Sequence, residues 1–155
     1  MLLAFNLENT GRYRGDPPFM KIPLDVSFAM FTHANVNREC LHSALIEMSS
    51  FALHGEFLKA WNENNPTRYF DYVVTEWLVH FVAPKGSFAF RVQIPEQEAK
   101  HYFVRWPDGT IVDLTAEQFP QWELVDYATA KKASLPTTPS SRARILDTLI
   151  QVCHK

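Results

Sequence analysis

The chain has 155 residues, of which 46% are hydrophobic and 21% are charged, enough for one domain with a substantial core and too few for two. Its net charge of −2 and sequence pI of about 6.3 exclude a globally basic surface that would hold a nucleic-acid backbone. We therefore predict a single domain over residues 1–155 that does not bind nucleic acid.

The opening residues contain neither a basic segment nor an apolar run of signal-peptide length. The longest apolar stretch, residues 72–83, is interrupted by Glu76 and His80, so we predict no membrane span. Two cysteines, Cys40 and Cys153, are too few for a disulfide framework, and reduced thiols in the cytoplasm are the default expectation.

Glycines and prolines are scattered through residues 1–36, which predicts an irregular wrapping segment with room for one short strand. From Asn37 the apolar residues recur at helical spacing, and either Asn35 or Asn37 would cap the start of this helix. Cys40 therefore falls in the first turn. The predicted buried face consists of Leu41, Ala44, Leu45, Met48 and Ala52.

Asn65 and Pro66 predict the start of a second helix, with asparagine as the cap and proline at the first helical position. The β-branched residues that follow would also suit a strand, but we favour a helix to about His80. Residues 122–132 fit either a strand or a helix. A final amphipathic helix is predicted from Ser141, with a buried face of Ile145, Leu146, Leu149 and Ile150.

Residues 88–94 alternate large apolar side chains with small or polar ones, which is the pattern of a half-buried strand. We expect this strand to lie antiparallel to another that starts at His101. The second strand leads into a hairpin, because the turn-forming residues Pro107, Asp108 and Gly109 separate it from a further short apolar run.

Two turn types fit this hairpin, and they differ in which side chains share a face. A two-residue loop would place His101 and Asp113 on opposite faces of the sheet. A three-residue loop over 107–109, with Gly109 in the left-handed region, would place Phe103 opposite Asp113 and His101 diagonal to it on the same face. We favour the three-residue loop because proline suits its second position and glycine its last.

Three residues together have the chemistry of a thiol nucleophile and its base. The first turn of a helix favours the thiolate form of Cys40. A neutral His101 would accept the thiol proton and return it to a leaving group, and the Asp113 carboxylate would orient the ring and stabilise its charged form. We therefore predict a catalytic set of Cys40, His101 and Asp113.

The order of these residues resembles the papain-like superfamily, including transglutaminase-like domains. The segments HYFVRWPDGTIVDLTAEQF, residues 101–119, and PSSRARIL, residues 139–146, are similar to small uncharacterised bacterial and phage proteins of that arrangement. The resemblance implies a hydrolase or acyl transferase acting on a peptide, amide or isopeptide bond. Such enzymes usually have a small residue and then a polar one shortly before the cysteine, whereas Asn37, Arg38 and Glu39 precede Cys40. A Glu39 carboxylate that points toward the thiol would oppose its ionisation.

Each candidate also fits an ordinary structural role. Free cysteines are among the most buried residue types, so Cys40 would suit packing. His101 would suit a strand end, and Asp113 would suit a cap for the following turn. The set His33, Cys40 and His42 has irregular spacing for zinc, and we predict neither a metal nor a cofactor.

These observations predict an α+β fold: an antiparallel sheet of three to five strands with helices packed on one side, the first long helix lying so that Cys40 approaches His101. The leading function is a papain-like thiol hydrolase or acyl transferase. The alternative is a non-catalytic binding protein that keeps this fold and docks on a larger protein, for example a phage-encoded inhibitor or accessory protein.

Overall fold

The computed structural model describes residues 5–6, 24–49, 70–94, 100–116 and 125–154. Helices and an antiparallel sheet make up this part of the chain, which confirms the predicted α+β fold. The helices are α1 (Leu24–Ala34), α2 (Arg38–Ser49), α3 (Asp71–Trp77, followed by a π-helical turn over Leu78–Val82) and α4 (Ser141–Cys153). The strands are β1 (Phe5–Asn6), β2 (Phe88–Gln93), β3 (Lys100–Arg105), β4 (Thr110–Val112) and β5 (Lys131–Lys132).

The strands lie in the order β1-β4-β3-β2-β5, and each neighbouring pair is antiparallel. As predicted, β2 pairs with β3, and Phe90 lies opposite Phe103. The burial along β2 departs from the predicted alternation, because Phe88 is 48% exposed whereas its neighbour Ala89 is buried. An aromatic side chain therefore lies at the surface where β2 begins.

The prediction of irregular structure over residues 1–36 is wrong for α1. Met30, Phe31 and Ala34 are buried and recur at the spacing of a helix face. Asn35 follows α1 in the left-handed region, with a φ of 56°, which is a common way for a helix to end. The helical spacing of these residues is present in the sequence. The glycines and prolines that precede it favoured a prediction of irregular structure for the whole segment.

Helix α2 follows the prediction closely. Asn37 rather than Asn35 caps it, because the Asn37 Oδ1 accepts the N–H of Cys40 at 2.9 Å. Cys40 lies in the first turn, as expected. Four members of the predicted face are buried, namely Leu41, Ala44, Leu45 and Met48, and Ala52 lies outside the described residues.

Helix α4 packs against α2 and α3. Its last residue, Cys153, forms a disulfide with Cys40, and their Cα atoms are 5.7 Å apart. This bond corrects the expectation of reduced thiols. The start of α4 is capped by the Ser140 hydroxyl, which accepts the N–H of Ala143 at 3.2 Å. Ile145, predicted to be buried, is 42% exposed, and Ala143 takes part in the buried face instead.

Two adjacent residues tie α3 to α4. The buried Glu76 carboxylate accepts the N–H of Ser140 at 3.0 Å and its hydroxyl at 2.6 Å. The Trp77 indole N–H donates to the Asp147 carboxylate at 3.0 Å. These bonds fix the position of α3, which also packs on β3 and carries Asp71 as its first residue.

The predicted helix that ends near His80 is confirmed over its described part, where the chain is helical rather than extended. Its predicted start at Asn65 and Pro66 lies outside the described residues. Between residues 122 and 132, the described part contains a 3-10 turn, Tyr127–Thr129, followed by β5. The turn brings Tyr127 into the core.

Candidate functional site

The hairpin between β3 and β4 has the three-residue loop that the sequence favoured. The N–H of Trp106 donates to the Thr110 carbonyl at 2.9 Å, and the N–H of Gly109 donates to the Trp106 carbonyl at 2.9 Å. Gly109 is in the left-handed region, with a φ of 88°. The strand register is therefore fixed by local turn chemistry, and it sets which side chains of the two strands share a face.

This register brings His101 and Asp113 together, as predicted. The His101 Nε2 lies 2.6 Å from the Asp113 Oδ2, and the two side chains are 1% and 0% exposed. The same Oδ2 accepts the Tyr127 hydroxyl at 2.6 Å. The other carboxylate oxygen accepts the N–H and the hydroxyl of Thr115 at 3.3 and 3.4 Å. Asp113 is therefore a fully buried carboxylate whose two oxygens are both hydrogen-bonded.

A second carboxylate, Asp71, approaches the other nitrogen of the same ring. Its Oδ2 lies 3.5 Å from the His101 Nδ1 and accepts the backbone N–H of Tyr102 at 2.9 Å. The sequence analysis missed both Asp71 and Tyr127. The sequence predicts the start of this helix at Asn65 and Pro66 and so does not single out Asp71, and it does not show that the helix packs on β3.

The two carboxylates determine the charge of the ring. Burial alone lowers the pKa of the His101 imidazole, but the charge of Asp113, the hydrogen bond to it and the nearby Asp71 together raise it to about 9. Burial and the Asp113 charge also raise the pKa of Tyr127 well above its usual value of 10.0. At neutral pH, His101 is therefore a buried cation held between two carboxyl groups, and Tyr127 is a neutral donor.

This arrangement predicts that stability falls as the pH rises. Because the folded pKa of His101 is raised from 6.5 to about 9, its stabilisation is complete below pH 6.5 and is lost as the pH rises through about 9. The difference corresponds to about 3 kcal/mol. We expect urea titrations to show a decline of this size for the wild type over that window. His101→Gln should lack the decline, and parallel pH profiles for the two proteins would contradict the buried cation.

Cys40 is placed differently from the other two predicted residues. It is 7% exposed, and its sulfur is bonded to that of Cys153, so the structure holds a disulfide where the prediction required a thiol. Helix α2, which carries Cys40, packs against α4, whereas β3, which carries His101, packs against α3. The structure therefore brings His101 and Asp113 together and pairs Cys40 with Cys153. A nucleophilic role for Cys40 stays a prediction for the reduced protein.

Within the described ranges, histidine, cysteine and carboxylate side chains form no group of three that could hold a metal ion. No helix in the same part of the chain is long and apolar enough to cross a membrane. Comparisons with protein-family models, with curated proteins and with solved structures find no match to this chain.

Proposed function

We propose that the protein acts by docking on a larger partner and that His101 belongs to its scaffold. The observation that carries this proposal is the pair of carboxylates around the ring, Asp113 at Nε2 and Asp71 at Nδ1. In a thiol triad, an acid holds one ring nitrogen and the other nitrogen faces the sulfur. In this protein, Asp71 occupies the position that the sulfur would need.

The protonation state of the ring supports the same proposal. A general base must be neutral near the working pH and must reach the proton that it removes. The raised pKa of about 9 keeps His101 charged at neutral pH, and its side chain is 1% exposed. The three charged groups are instead suited to holding β3, the end of β4 and the start of α3 together.

Docking needs exposed side chains that gain from burial in a complex. The described surface carries several large apolar side chains that are at least 39% exposed, namely Phe28, Tyr72, Phe81, Phe88, Ile145 and Val152. Aromatic residues of this kind supply much of the binding energy in protein interfaces. The papain-like arrangement that the sequence resembles would then serve as a framework without its chemistry.

A papain-like cysteine hydrolase or acyl transferase is the second candidate. The observation in its favour is that Cys40 lies in the first turn of α2 beside an Asn37 cap, a position that stabilises a thiolate. This activity would require reduction of the disulfide and a rearrangement that turns the ring from Asp71 to Cys40.

Alkylation of the reduced protein distinguishes the two proposals. After reduction with a phosphine, iodoacetamide would be added across a pH series and each cysteine followed by mass spectrometry. We expect Cys40 to react more slowly than Cys153, because Cys40 is buried and Cys153 is exposed, and to react only at the high pH of an ordinary thiol. Cys153 is the internal control in the same molecule.

The opposite result would support the hydrolase. A Cys40 that reacts faster than Cys153, with a rate that no longer changes with pH below neutrality, would show a stabilised thiolate and overturn the docking proposal. His101→Gln should leave the pH dependence of Cys40 alkylation unchanged if the ring is part of the scaffold. It should shift that dependence to higher pH if the ring activates the thiol.

A further inference from the structure

The exposed start of β2 forms one wall of a groove of about 230 Å³. Its lining includes Phe88 and Phe90 from β2, Arg105 from β3, Trp106 from the hairpin and Lys132 from β5. The sheet register explains why these side chains meet, because Phe88 lies opposite Arg105 and Phe90 lies opposite Lys132 on neighbouring strands. The groove therefore combines aromatic walls with two cations.

The two cations lie over the aromatic rings. The Lys132 Nζ is 3.6 Å from the centroid of the Phe88 ring, and the Arg105 guanidinium carbon is 4.8 Å from that of Phe90. Among the described residues, neither cation forms an ion pair with a carboxylate, and no lining residue of the groove is acidic. The rings hold the cations in place while their positive charge remains available to a ligand.

A second group of cations lies on the same strands but on the other face of the sheet. Arg91, Lys100 and Lys131 line part of a separate cavity of about 320 Å³, and their positions alternate with those of the groove residues. Arg91 and Lys131 lie directly opposite each other on paired strands, and like charges in that position destabilise a sheet. The chain as a whole has a net charge of −2, so these cations are concentrated locally on β2, β3 and β5.

From this arrangement we propose that the groove binds an acidic peptide segment of the docking partner, with carboxylates at Arg105 and Lys132 and an apolar side chain against Trp106. This proposal rests on the docking function and specifies the chemistry of the partner. A guanidinium held over a ring presents its N–H groups to a carboxylate, and charge-assisted hydrogen bonds of this kind are the stronger ones.

The geometry favours a peptide over a nucleic acid. Proteins that bind single strands stack bases on open aromatic faces. In this groove, Lys132 and Arg105 cover a face of the Phe88 and Phe90 rings, and the Trp106 ring contacts the His33 ring at a centroid distance of 5.7 Å. Carboxylates can reach the cations without displacing them from the rings.

A short fluorescein-labelled peptide of alternating glutamate and phenylalanine tests the proposal by fluorescence anisotropy. We expect the intact protein to bind it with an affinity that falls as salt is added. Arg105→Gln and Lys132→Gln should each weaken binding by about tenfold. The matched control is Arg144→Gln, which removes the same charge from the exposed face of α4 and should leave binding unchanged.

Two comparison ligands test whether the groove recognises carboxylates and whether it prefers a peptide to a nucleic acid. The same peptide with glutamine in place of glutamate should bind weakly or not at all, and a single-stranded oligothymidylate should bind more weakly than the acidic peptide. An absence of peptide binding, an equal loss in Arg144→Gln, or tighter binding of the oligothymidylate would each overturn the acidic-peptide proposal. None of these results bears on Cys40, whose alkylation independently decides between docking and hydrolysis.

Discussion

The His101→Ala variant is expected to lose about 3–5 kcal/mol of unfolding free energy relative to the wild type at neutral pH. The substitution removes the cation from between Asp113 and Asp71 and leaves the Asp113 carboxylate buried without its charged partner. Such a carboxylate must either stay charged at a high desolvation cost or take up a proton. Urea unfolding followed by tryptophan fluorescence would measure the loss.

His80→Ala is the matched control for this experiment. The His80 ring is partly exposed and lies 3.1 Å from the Pro136 carbonyl, without a carboxylate partner at that bond. Its loss should therefore be about 1 kcal/mol or less. If His101→Ala were as mild as His80→Ala, the ring would not be part of the scaffold, because a residue that faces an open cleft is removed at little cost to stability.

The buried charges also explain how much of the site was predictable. The His101–Asp113 pair follows from local chemistry, because Pro107 and Gly109 each fit one position of the loop and the loop fixes the strand register. A register is a short-range property, and one residue of slip would have moved Asp113 to the other face. The pair could therefore be predicted from the turn residues alone.

The remaining partners of the site depend on tertiary packing. Asp71 lies 30 residues before His101 in the chain (101 − 71). It reaches the His101 ring only because α3 packs on β3. Helix periodicity indicates which face of α3 is buried, but it does not indicate which strand that face covers. The pattern of helices and strands was sufficient to predict the fold class, but it did not identify Asp71 as the third charged group at the His101 ring.

The disulfide between Cys40 and Cys153 was not predicted, for a related reason. Cys40 and Cys153 are separated by 113 positions in the chain. Neither the number of cysteines nor the cellular compartment expected for the protein indicates whether two cysteines lie close together in the fold. The final helix was predicted from Ser141, yet only its packing against α2 brings its last residue to the start of that helix. The disulfide is consequently the feature of the described structure that most changes the functional interpretation of Cys40.

Removing the disulfide is expected to destabilise the protein by about 4–5 kcal/mol. The bond closes a loop of 113 positions, and in the chain-entropy description a cross-link over such a loop limits the freedom of the unfolded chain by about that amount. Cys153→Ser is the cleaner substitution, because Cys153 is exposed and Cys40 is buried, so little packing is lost with it. Urea unfolding of the wild type and the variant, each with and without a reductant, measures the effect.

Four samples, the wild type and Cys153→Ser each with and without a reductant, distinguish the effect of losing the disulfide from the effect of the substitution itself. Reduced wild type and Cys153→Ser should have similar free energies of unfolding, and the reductant should have no effect on the variant because it contains no disulfide to break. The oxidised wild type alone should be more stable. Equal stability in all four samples would mean that the two thiols are not joined in solution, which would return Cys40 to the reduced state that a hydrolase requires.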